Sequence, residues 1–500
     1  MTQSSTTSAA LKATAKGQAW RMLIDGCWVD SDSGARDSIR NPATGAIIGS
    51  VPSGTATDAE RAIVAAAAGS RRIAATPAHE RCAILMRLAQ AVEDNQQELG
   101  DLLCSENGKT RREIGGELNA TLRILRGYAE EAKRVFGKVT PLDSVPGLEN
   151  SLAITARQPR GVIAAIVPFN YPIELWSHKL AAALAAGNAV ITKPPEQCPL
   201  TVIRISELLE HTGLPQAAHQ LLTGSGTVVG AALVRSTGVH MVCMTGSTAA
   251  GRAILRDAAP TLKKVHLELG GNDATIVCAD ADPQQVAQAL IAGRFTSGNG
   301  QICCAVKRVL VDAKICQPLV DALVTRAREL KLGDPADKAT DVGPLITERA
   351  AQHVEAQVAQ ARADGATVVM GGARRGNFFE PTILTGVKPE HAAFNEEIFG
   401  PVLPIIPFDD FEQALDLADR SEYGLQAALF TRDMSRIMRA FQRLSVGTLV
   451  INRSTAIRVE NLPFGGMRNS GNGREGLHET LLEMTEEKTM ILADVYAKPA

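Results

Sequence analysis

The sequence lacks the long apolar segment that a membrane span requires. A span needs roughly 18 to 20 apolar residues, and the richest stretches of this 500-residue chain, Gly161–Phe169 and Ala181–Ile191, are short. An excess of charge of one sign is also missing, because 52 Lys and Arg face 54 Asp and Glu, a net charge of -2. That balance argues against a broad basic surface. We therefore expect neither a membrane nor a nucleic acid as partner.

Spacings typical of disulfide scaffolds and metal sites are missing too. The nine cysteines are odd in number with no CxxC pair, and the nine histidines form no HExxH motif. This pattern predicts a reducing compartment, the cytoplasm, and no bound metal. Met1–Gly17 has neither the apolar core of a secretory signal nor an acidic residue. We expect a frayed tail there, with organelle targeting as the alternative.

What the chain does contain is an ordinary globular composition, with 45% hydrophobic and 21% charged residues. Its length predicts two to four domains at roughly 150 residues each. Short apolar runs alternate with helical patterns, which predicts βαβ units and parallel sheets in an α/β fold. The predicted strands are Val162–Val167, Ala189–Thr192, His219–Leu222, Val239–Met244, Lys264–Leu267, Ala274–Cys278, Lys307–Val311, Val402–Pro407, Thr448–Ile451 and a lone Met490–Tyr496. The predicted helices are Asp58–Ala68, Glu80–Gly100, Ile173–Ala186, Pro199–Thr212, Val228–Arg235, Ser247–Ala259, Gln284–Phe295 and Gln317–Leu330.

Two cysteines lie in a loop of small and polar residues. Cys303 and Cys304 follow Gly300-Gln301-Ile302. A cysteine on such a loop can face a cleft, and thiolate is the strongest side-chain nucleophile near neutral pH. A buried structural cysteine is the alternative, and position alone does not choose between the two thiols.

Two further candidates flank predicted strands. Glu268 ends a strand beside the apolar Leu269, where its pKa could rise to suit a general base, although a solvated strand-end glutamate is the alternative. Asn170, between a strand and a helix, could hold a developing oxyanion with its amide, or could merely cap the helix.

Features suited to a dinucleotide lie on consecutive strand-to-helix crossovers. Glu196 follows a strand, where an acidic side chain can hold ribose hydroxyls. Gly246 and Ser247 open a helix, whose N-terminus suits a pyrophosphate. Gly224–Gly230 is one residue too long for the usual GxGxxG. Together these features favour a nucleotide ligand.

The order of these motifs is similar to that of the NAD(P)-dependent aldehyde dehydrogenase superfamily. Glu397–Pro401 and Pro463–Gly466 complete the set, and the similarity covers about Leu23 to the C-terminus. The resemblance implies that Cys303 attacks an aldehyde, that hydride passes to the nicotinamide, and that a thioester remains. Glu268 would then activate the water that hydrolyses it.

The resemblance assigns further roles at the reacting centre. Asn170 and the backbone N–H of Cys303 would hold the oxyanion, and Glu475 would lie behind the general base as a proton relay. Cys304 becomes a neighbour of the nucleophile.

The resemblance also implies a set of cofactor contacts. A carboxylate at Glu196 would repel the 2′-phosphate of NADP, so NAD is the expected cofactor and NADP the less favoured one. The implied contacts are Ile166, Phe169, Lys193, Glu196, Gly226, Gly246, Ser247, Leu269, Glu397 and Phe399.

The substrate pocket departs from relatives that take long apolar aldehydes. His178 and Arg458 align with positions that are aromatic in those relatives. A guanidinium in a dead-end pocket is costly without an anion, so we expect a short polar or anionic aldehyde. The alternative is that Arg458 pairs with Glu460 or another carboxylate. The expected substrate contacts are Arg458, His178, Tyr171, Arg123, Ile302, Cys304 and Phe464.

A resemblance to one branch of this superfamily also favours a short polar or anionic aldehyde. Cys303–Arg308, Ser421–Gln426 and Arg458–Met467 are similar to the branch holding lactaldehyde, phosphonoacetaldehyde and non-phosphorylating glyceraldehyde-3-phosphate dehydrogenases. The last of these carry Arg just before the catalytic cysteine. Ile302 stands there in this chain, which weakens a sugar-phosphate substrate.

The family fold implied is α/β, with two Rossmann-like parallel-sheet domains and a small β bridging element. We expect an NAD-binding domain over 19–137 and 160–271, a catalytic domain over 272–466, and an oligomerisation element over 138–159 and 484–500. Relatives form dimers or tetramers by donating the C-terminal strand, so a homodimer or homotetramer is expected. The alternatives are a CoA-acylating semialdehyde dehydrogenase, which typically lacks the general-base glutamate, and a non-catalytic NAD-binding relative.

Overall fold

The computed structural model describes residues 18–496. The predicted tail Met1–Gly17 lies outside them. Within the described part, no helix combines the length and the apolar character needed to cross a bilayer. The predicted α/β fold is confirmed, with two seven-stranded sheets built mainly of parallel strands and flanked by helices.

The strands carry the labels used below. They are β1 Gln18–Ala19, β2 Met22–Ile24, β3 Cys27–Val29, β4 Arg36–Arg40, β5 Ile47–Pro52, β6 Val139–Pro141, β7 Leu152–Pro159, β8 Val162–Ile166, β9 Ala189–Lys193, β10 His219–Leu221, β11 Met241–Thr245, β12 Lys264–Glu268, β13 Ala274–Val277, β14 Arg308–Asp312, β15 Thr367–Met370, β16 Arg374–Arg375, β17 Phe378–Phe379, β18 Thr382–Thr385, β19 Val402–Phe408, β20 Tyr423–Gly424, β21 Gln426–Phe430, β22 Thr448–Ile451, β23 Met467–Arg468 and β24 Thr485–Leu492.

The helices are labelled in the same way. They are α1 Ala56–Ala75, α2 Ala78–Asp94, α3 Gln96–Asn107, α4 Arg111–Glu131, α5 Pro172–Ala185, α6 Leu200–Glu210, α7 Ala231–Arg235, α8 Thr248–Ala258, α9 Pro283–Arg294, α10 Ala313–Ala327, α11 Glu348–Ala363, α12 Ala392–Asn395, α13 Phe411–Asp419, α14 Met434–Arg443 and α15 Leu477–Glu483.

The first large sheet has the order β12-β11-β8-β9-β10-β2-β3, and its first five strands are parallel. The chain starts this parallel part at the central β8, runs outward through β9 and β10, and then returns to β11 on the other side. Strand order therefore reverses between β8 and β11. A crevice opens at the carboxyl ends of parallel strands at such a reversal, and it is the usual ligand site of open α/β sheets.

Burial explains why the central strands read as continuous apolar runs. All five residues of β9 and of β11 are buried, because helices cover both faces of the sheet. The α5 helix, which packs against β8 and β9, is also buried along most of its length. Strands covered on both faces show no polar alternation.

The second large sheet has the order β15-β18-β19-β14-β13-β21-β22, with β15 antiparallel to an otherwise parallel sheet. A separate three-stranded sheet, β24-β7-β6, joins the C-terminal part to the middle of the chain. The C-terminal strand covers Thr485–Leu492 rather than the predicted Met490–Tyr496, and it pairs with β7 of the same chain. The predicted domain limits stay a prediction.

Several helix limits differ from the prediction. The helix expected over Glu80–Gly100 is two helices, because Asn95 leaves the helical conformation (φ -113°, ψ 19°) and its Nδ2 donates to the carbonyl of Ala91. The α10 helix starts at Ala313, where the Asp312 carboxylate accepts from the N–H of Lys314. A π-helical turn, Gly226–Gly230, precedes α7.

Candidate active site between two cavities

Two cavities meet at the carboxyl ends of the first sheet. One is a cleft of about 590 Å³ beside β8, β9 and β11, and the other is a cavity of about 350 Å³ beside α4 and α5. Among the residues that the structure describes, only Cys303 and Asn170 belong to the linings of both. A ligand in the first cleft and a ligand in the second cavity would therefore meet at these two side chains.

The larger cleft gathers the predicted cofactor contacts. Glu196 accepts a hydrogen bond from the N–H of Gly226 at 2.7 Å, and its carboxylate lies 3.7 Å from Nζ of Lys193. These contacts link the ends of consecutive crossovers, because the carboxyl ends of parallel strands meet at one edge. All ten predicted residues line the cleft: Ile166, Phe169, Lys193, Glu196, Gly226, Gly246, Ser247, Leu269, Glu397 and Phe399.

The cleft has the donors and acceptors that a dinucleotide requires. Ser247 caps α8 by accepting from the N–H of Ala250, so the positive end of this helix faces the cleft. On the opposite side, Glu397 accepts from Nζ of Lys307 at 2.9 Å and from the N–H of Gly271 at 3.3 Å. An anion-binding helix terminus and two carboxylates, Glu196 and Glu397, fit a pyrophosphate flanked by two riboses.

The loop that leads to Cys303 has strained backbone. Gly298, Asn299 and Gly300 all have positive φ, of 59°, 51° and 71°. A Cβ at Gly300 would lie 2.3 Å from the carbonyl oxygen of Gly400, so no larger residue fits there. Left-handed backbone at a non-glycine residue persists only where surrounding structure holds it, as at many functional sites.

The two neighbouring thiols differ in environment. Cys303 is half-buried and lines both cavities, whereas Cys304 is buried and lines only the smaller one. The adjacent Cys304 thiol, and then Lys307 and Arg458, lower the pKa of Cys303 against its burial. The contact with Cys303, together with burial, raises the pKa of Cys304. Of the two candidate nucleophiles, Cys303 is the more readily ionised and the better exposed.

The amide of Asn170 is free of the helix that follows it. The backbone N–H groups of Ile173 and Glu174, at the start of α5, donate to Oε1 of the buried Glu117 instead. The Asn170 side chain accepts only from the N–H of Tyr171, so its NH₂ group makes no hydrogen bond within residues 18–496. That leaves a donor directed at the junction of the cavities, as an oxyanion site requires.

Glu268 is turned away from both cavities. Its side chain is buried, lines neither cavity, and its Oε1 has no hydrogen-bond partner among the described residues. A Cβ at Gly465 would lie 2.7 Å from that oxygen, so Gly465 provides the space that the carboxyl occupies. Burial, and secondarily Glu475, raises the pKa of Glu268 well above its usual range.

Glu475 lies in a buried ion cluster behind Glu268. Its two oxygens accept from Nζ of Lys179 at 3.0 Å and from Nη2 of Arg458 at 2.8 Å. Although burial opposes ionisation, these two cations hold the pKa of Glu475 well below its usual range. Lys179 was not among the site residues predicted from the sequence. It could have been found as a lysine within the mostly apolar helix Pro172–Ala185, because a buried lysine needs a charged partner.

A possible set of metal ligands overlaps this cluster. Ligand atoms of Cys243, His266 and Glu475 lie within 4.8 Å of one another. Because two cations already neutralise the Glu475 carboxylate, the donor set is a poor match for a further cation. The expectation of no metal stays a prediction.

The smaller cavity lacks one predicted substrate contact, His178, and a second one, Arg458, has a partner within the protein. His178 does not line it, because the fully buried ring lies one helical turn behind Glu174 and faces Tyr128, whose hydroxyl is 3.3 Å from Nδ1. Arg458 does line the cavity, but it is not a free cation. It pairs with a carboxylate, as the alternative expected, and that carboxylate is Glu475; its Nε has no partner among the described residues.

The other predicted contacts line the smaller cavity. Arg123 is exposed and donates to Glu460. The predicted contacts that line it are Tyr171, Arg123, Ile302, Cys304, Phe464 and Arg458. Arg112 and Glu174 line it too and were missed. Glu174 follows Tyr171 by three residues on α5, so helical spacing was the signal available.

Comparison with known proteins identifies the family. The model described as the aldehyde dehydrogenase family matches residues 28–490. The 3-sulfolactaldehyde dehydrogenase of Priestia aryabhattai is 42% identical over 414 residues, covering 83% of this chain and 86% of that protein. The 3-sulfolactaldehyde dehydrogenase of Pseudomonas putida is 36% identical over 476 residues, covering 95% of this chain and 97% of that protein.

Similarity to solved structures supports the same family. The NADP-dependent glyceraldehyde-3-phosphate dehydrogenase of Bacillus halodurans C-125, complexed with NADP, superposes with a TM-score of 0.92 and 37% identity, covering 95% of this chain and 99% of that one. The family uses NAD or NADP. With the fold, the two cavities and the family match in agreement, this chain belongs to the aldehyde dehydrogenase family and is an NAD(P)-linked oxidoreductase.

Proposed function

We propose that this enzyme oxidises a short polar or anionic aldehyde to its acid, with NAD as the preferred cofactor and Cys303 as the nucleophile. The observation that carries the proposal is the position of Cys303 and Asn170 at the junction of the two cavities. A thiol there reaches an aldehyde in the smaller cavity beside a cofactor in the larger cleft.

The first half of the reaction forms a thioester on Cys303. The Cys303 thiolate adds to the aldehyde carbon, and the side-chain NH₂ of Asn170 and the backbone N–H of Cys303 hold the resulting oxyanion. When bound in the cleft, NAD supplies the hydride acceptor for this oxidation. The residues that would hold it are the ten that line the cleft, with Ser247 and Gly246 at the pyrophosphate and Glu196 and Glu397 at the riboses.

The second half is hydrolysis of the thioester. Glu268 would rotate from its buried position toward Cys303 and take a proton from the attacking water. Behind it, Lys179 and Arg458 hold Glu475 ionised and disfavour its protonated form, which opposes the relay role expected for it. Because Glu268 is present, water rather than CoA is the proposed acceptor of the acyl group, and the CoA-acylating reaction is the alternative.

Preference for NAD rests on Glu196, which lines the cleft where a ribose would lie. A 2′-phosphate there would meet the carboxylate, and Lys193 is already engaged with it at 3.7 Å. We expect Glu196→Gln to raise the ratio of kcat/KM with NADP to that with NAD by roughly tenfold, about 1.4 kcal/mol. Gln197→Ala, a neutral neighbour in the same cleft, is the matched control. An unchanged ratio in Glu196→Gln would remove the basis for this preference.

The smaller cavity is lined by both signs of charge, and its support for an anionic substrate rests on Arg112. Arg123 pairs with Glu460 and Arg458 with Glu475, whereas Arg112 has no carboxylate partner among the described residues. Of the other carboxylates in the lining, Glu113 accepts from backbone N–H groups, and Glu117 is bound to Lys109 and to the start of α5. Burial raises the pKa of Glu174 to about 7, so this carboxyl carries only part of its charge near neutral pH. Both relatives compared above are named for 3-sulfolactaldehyde, which combines a sulfonate with a hydroxyl. We propose a substrate of that kind, with semialdehydes and lactaldehyde as the nearest alternatives.

Initial rates with NAD test the substrate class. The panel is 3-sulfolactaldehyde, lactaldehyde, succinate semialdehyde, phosphonoacetaldehyde, glyceraldehyde 3-phosphate and hexanal. We expect the anionic aldehydes to lead, and Arg458→Ala to lower their kcat/KM relative to hexanal by roughly 10- to 100-fold, about 1 to 3 kcal/mol. The ratio isolates the contact with the substrate tail, since loss of the Glu475 pair affects every aldehyde alike. Arg453→Ala, an exposed arginine outside the cavity, is the control; a leading hexanal rate would contradict the proposal.

The oligomeric state and the cellular compartment of the protein are also proposals. The sheet formed by β24, β7 and β6 exposes Val139, Met490 and Ile491, as an interface with a second copy would require. We propose a homodimer or homotetramer formed through this sheet. All nine cysteines are free, which supports a reducing compartment such as the cytoplasm.

A further inference from the structure

The first backbone N–H groups of α5 are bound by a side chain from another helix. A helix leaves its first four N–H groups without partners inside the helix, and a polar side chain at the N-cap usually accepts from them. Tyr171, the N-cap residue of α5, makes no such hydrogen bond. Oε1 of Glu117, on α4, accepts instead from the N–H of Ile173 at 3.1 Å and from that of Glu174 at 3.3 Å. Glu117 thus takes the place of a local cap.

Glu117 is held in this position by a buried ion pair. Its other oxygen, Oε2, accepts a hydrogen bond from Nζ of Lys109, and both residues are buried. Nζ of Lys109 also lies 3.4 Å from the centroid of the Tyr171 ring, where a cation interacts favourably with the ring face. The Glu117 carboxylate is therefore fixed at both oxygens, one by α5 and the other by Lys109.

The backbone is bound on both sides of Asn170. Nδ2 of Asn107, at the end of α3, donates to the carbonyl of Phe169 at 2.6 Å, just before Asn170. Glu117 binds the backbone that follows. Because the chain is fixed before and after Asn170, the direction of its amide depends on rotation about its own side-chain bonds.

Without Glu117, the start of α5 would compete for the Asn170 side chain. Asparagine is a favoured cap, and its oxygen can accept from the N–H three residues further on, which is the position of Ile173 relative to Asn170. A buried N–H without a partner costs about 1 to 3 kcal/mol, and turning the Asn170 oxygen toward Ile173 would recover part of that cost. Such a rotation would move the NH₂ group away from the junction of the cavities.

We propose that Glu117, held by Lys109, is a positioning residue that caps α5 and so leaves the NH₂ group of Asn170 free to hold the oxyanion. The proposal rests on the proposed role of Asn170 in the reaction at Cys303. Both oxygens of Glu117 are bound within the protein, so Glu117 acts through Asn170 rather than on the substrate.

The test compares leucine with glutamine at position 117. Lys109→Met accompanies both changes, because an unpaired buried lysine would itself destabilise the protein. The two side chains are similar in size, but only glutamine has an oxygen that can accept from Ile173. We expect Lys109→Met/Glu117→Leu to lower the rate of acylation by about tenfold or more, within the roughly 10²- to 10³-fold cost of losing one oxyanion donor. Lys109→Met/Glu117→Gln should recover most of that loss.

The same comparison in an Asn170→Ala background shows whether the loss passes through Asn170. With no amide left to misdirect, leucine and glutamine at position 117 should give equal acylation rates. The measurement is the rate of the NADH burst, followed by stopped-flow absorbance at saturating NAD and aldehyde. Alkylation of Cys303 by iodoacetamide forms no oxyanion, so its rate should be equal in the leucine and glutamine variants.

Glu106 provides the matched control. It is also a buried carboxylate on a neighbouring helix, α3, and it accepts from the first N–H groups of α6, those of Leu200 at 2.6 Å and Thr201 at 2.7 Å. Glu106→Leu should have a lower melting temperature than Glu106→Gln, with the same burst rate at saturating NAD. A burst that falls as much in Glu106→Leu would show that the loss of any helix cap slows the reaction, which contradicts a specific role of Glu117.

Three further results would overturn the proposal: equal bursts in the two variants at position 117, an equal difference between them with and without Asn170, or a matching difference in alkylation. If the leucine variant does not fold, Glu117→Asp replaces it, because the shorter side chain keeps the charge beside Lys109 and loses reach toward α5. Absence of a burst in the wild type with every aldehyde would instead contradict the proposed function, so the two failures are distinguishable.

Discussion

Cys303→Ala should abolish aldehyde oxidation, lowering kcat/KM by about four orders of magnitude or more, because no other group at the junction of the cavities can form the thioester. The neighbouring Cys304→Ala should keep most of the activity, since the Cys304 thiol faces only the smaller cavity and its pKa is raised. The pair is a matched test, with the same substitution at adjacent positions of one loop.

Steady-state rates with NAD and the preferred aldehyde check this prediction. Binding of NAD, followed by calorimetry, should be retained in both variants and shows that each has folded. Activity that survives in Cys303→Ala but not in Cys304→Ala would make Cys304 the nucleophile. Activity in both single variants would mean either that the two thiols replace each other or that neither is needed, and the double variant Cys303→Ala/Cys304→Ala would separate these two cases.

Glu268→Gln should separate the two halves of the reaction. Cys303 can still be acylated, so a burst of about one NADH per subunit should remain, while the following steady-state rate falls by about 10² to 10⁴, the usual contribution of a general base. Glutamine has the same size and cannot accept a proton from water. The acyl group should therefore accumulate on Cys303.

Stopped-flow absorbance at 340 nm measures the burst, and intact-protein mass spectrometry measures the acyl adduct. Glu487→Gln, an exposed glutamate on β24, is the control and should behave as the wild type. The wild-type rate should also depend on pH with a definite sign: the pKa of Glu268 is raised, so its base form is lost as pH falls through that raised value. A normal steady-state rate in Glu268→Gln would contradict the proposed base.

Residues at strand ends were predictable from the sequence, whereas long-range side-chain pairs were not. Gly246 and Leu269 directly follow β11 and β12, Glu196 lies shortly after the end of β9, and the parallel topology brings those strand ends to one edge. Recognising the strands therefore indicated Glu196 and Gly246 as nucleotide contacts, whereas the contact of Leu269 was implied only by the family resemblance.

The ion cluster behind Glu268 shows which contacts could not be predicted from the sequence. Lys179 and Glu475 are separated by 296 positions, and no local pattern encodes their contact. For Arg458 the sequence allowed an anionic substrate, Glu460 or another carboxylate, and could not single out Glu475, which lies 17 positions away. Alignment placed His178 in the cavity, although the rotation of α5 turns its ring toward Tyr128. Which partner each of these side chains contacts depends on packing between elements that are distant in the sequence.

The limits of helices show a related difficulty. The apolar pattern continues through Asn95, so periodicity alone joins α2 and α3 into one helix. The break is decided by the Asn95 side chain, which binds a carbonyl of the preceding turn and competes with the backbone.

The small overlap between the two cavities has a kinetic consequence. Because Cys303 and Asn170 are the only described residues common to both linings, a longer aldehyde tail would extend away from the nucleotide. We therefore expect that neither ligand blocks the exit of the other, so that the acid product can depart while the reduced nucleotide is still bound. We expect the dissociation constant of NAD to be the same for the free enzyme and for the enzyme saturated with a non-reactive carboxylate product. The specificity for the aldehyde and the specificity for the nucleotide could then change separately in evolution.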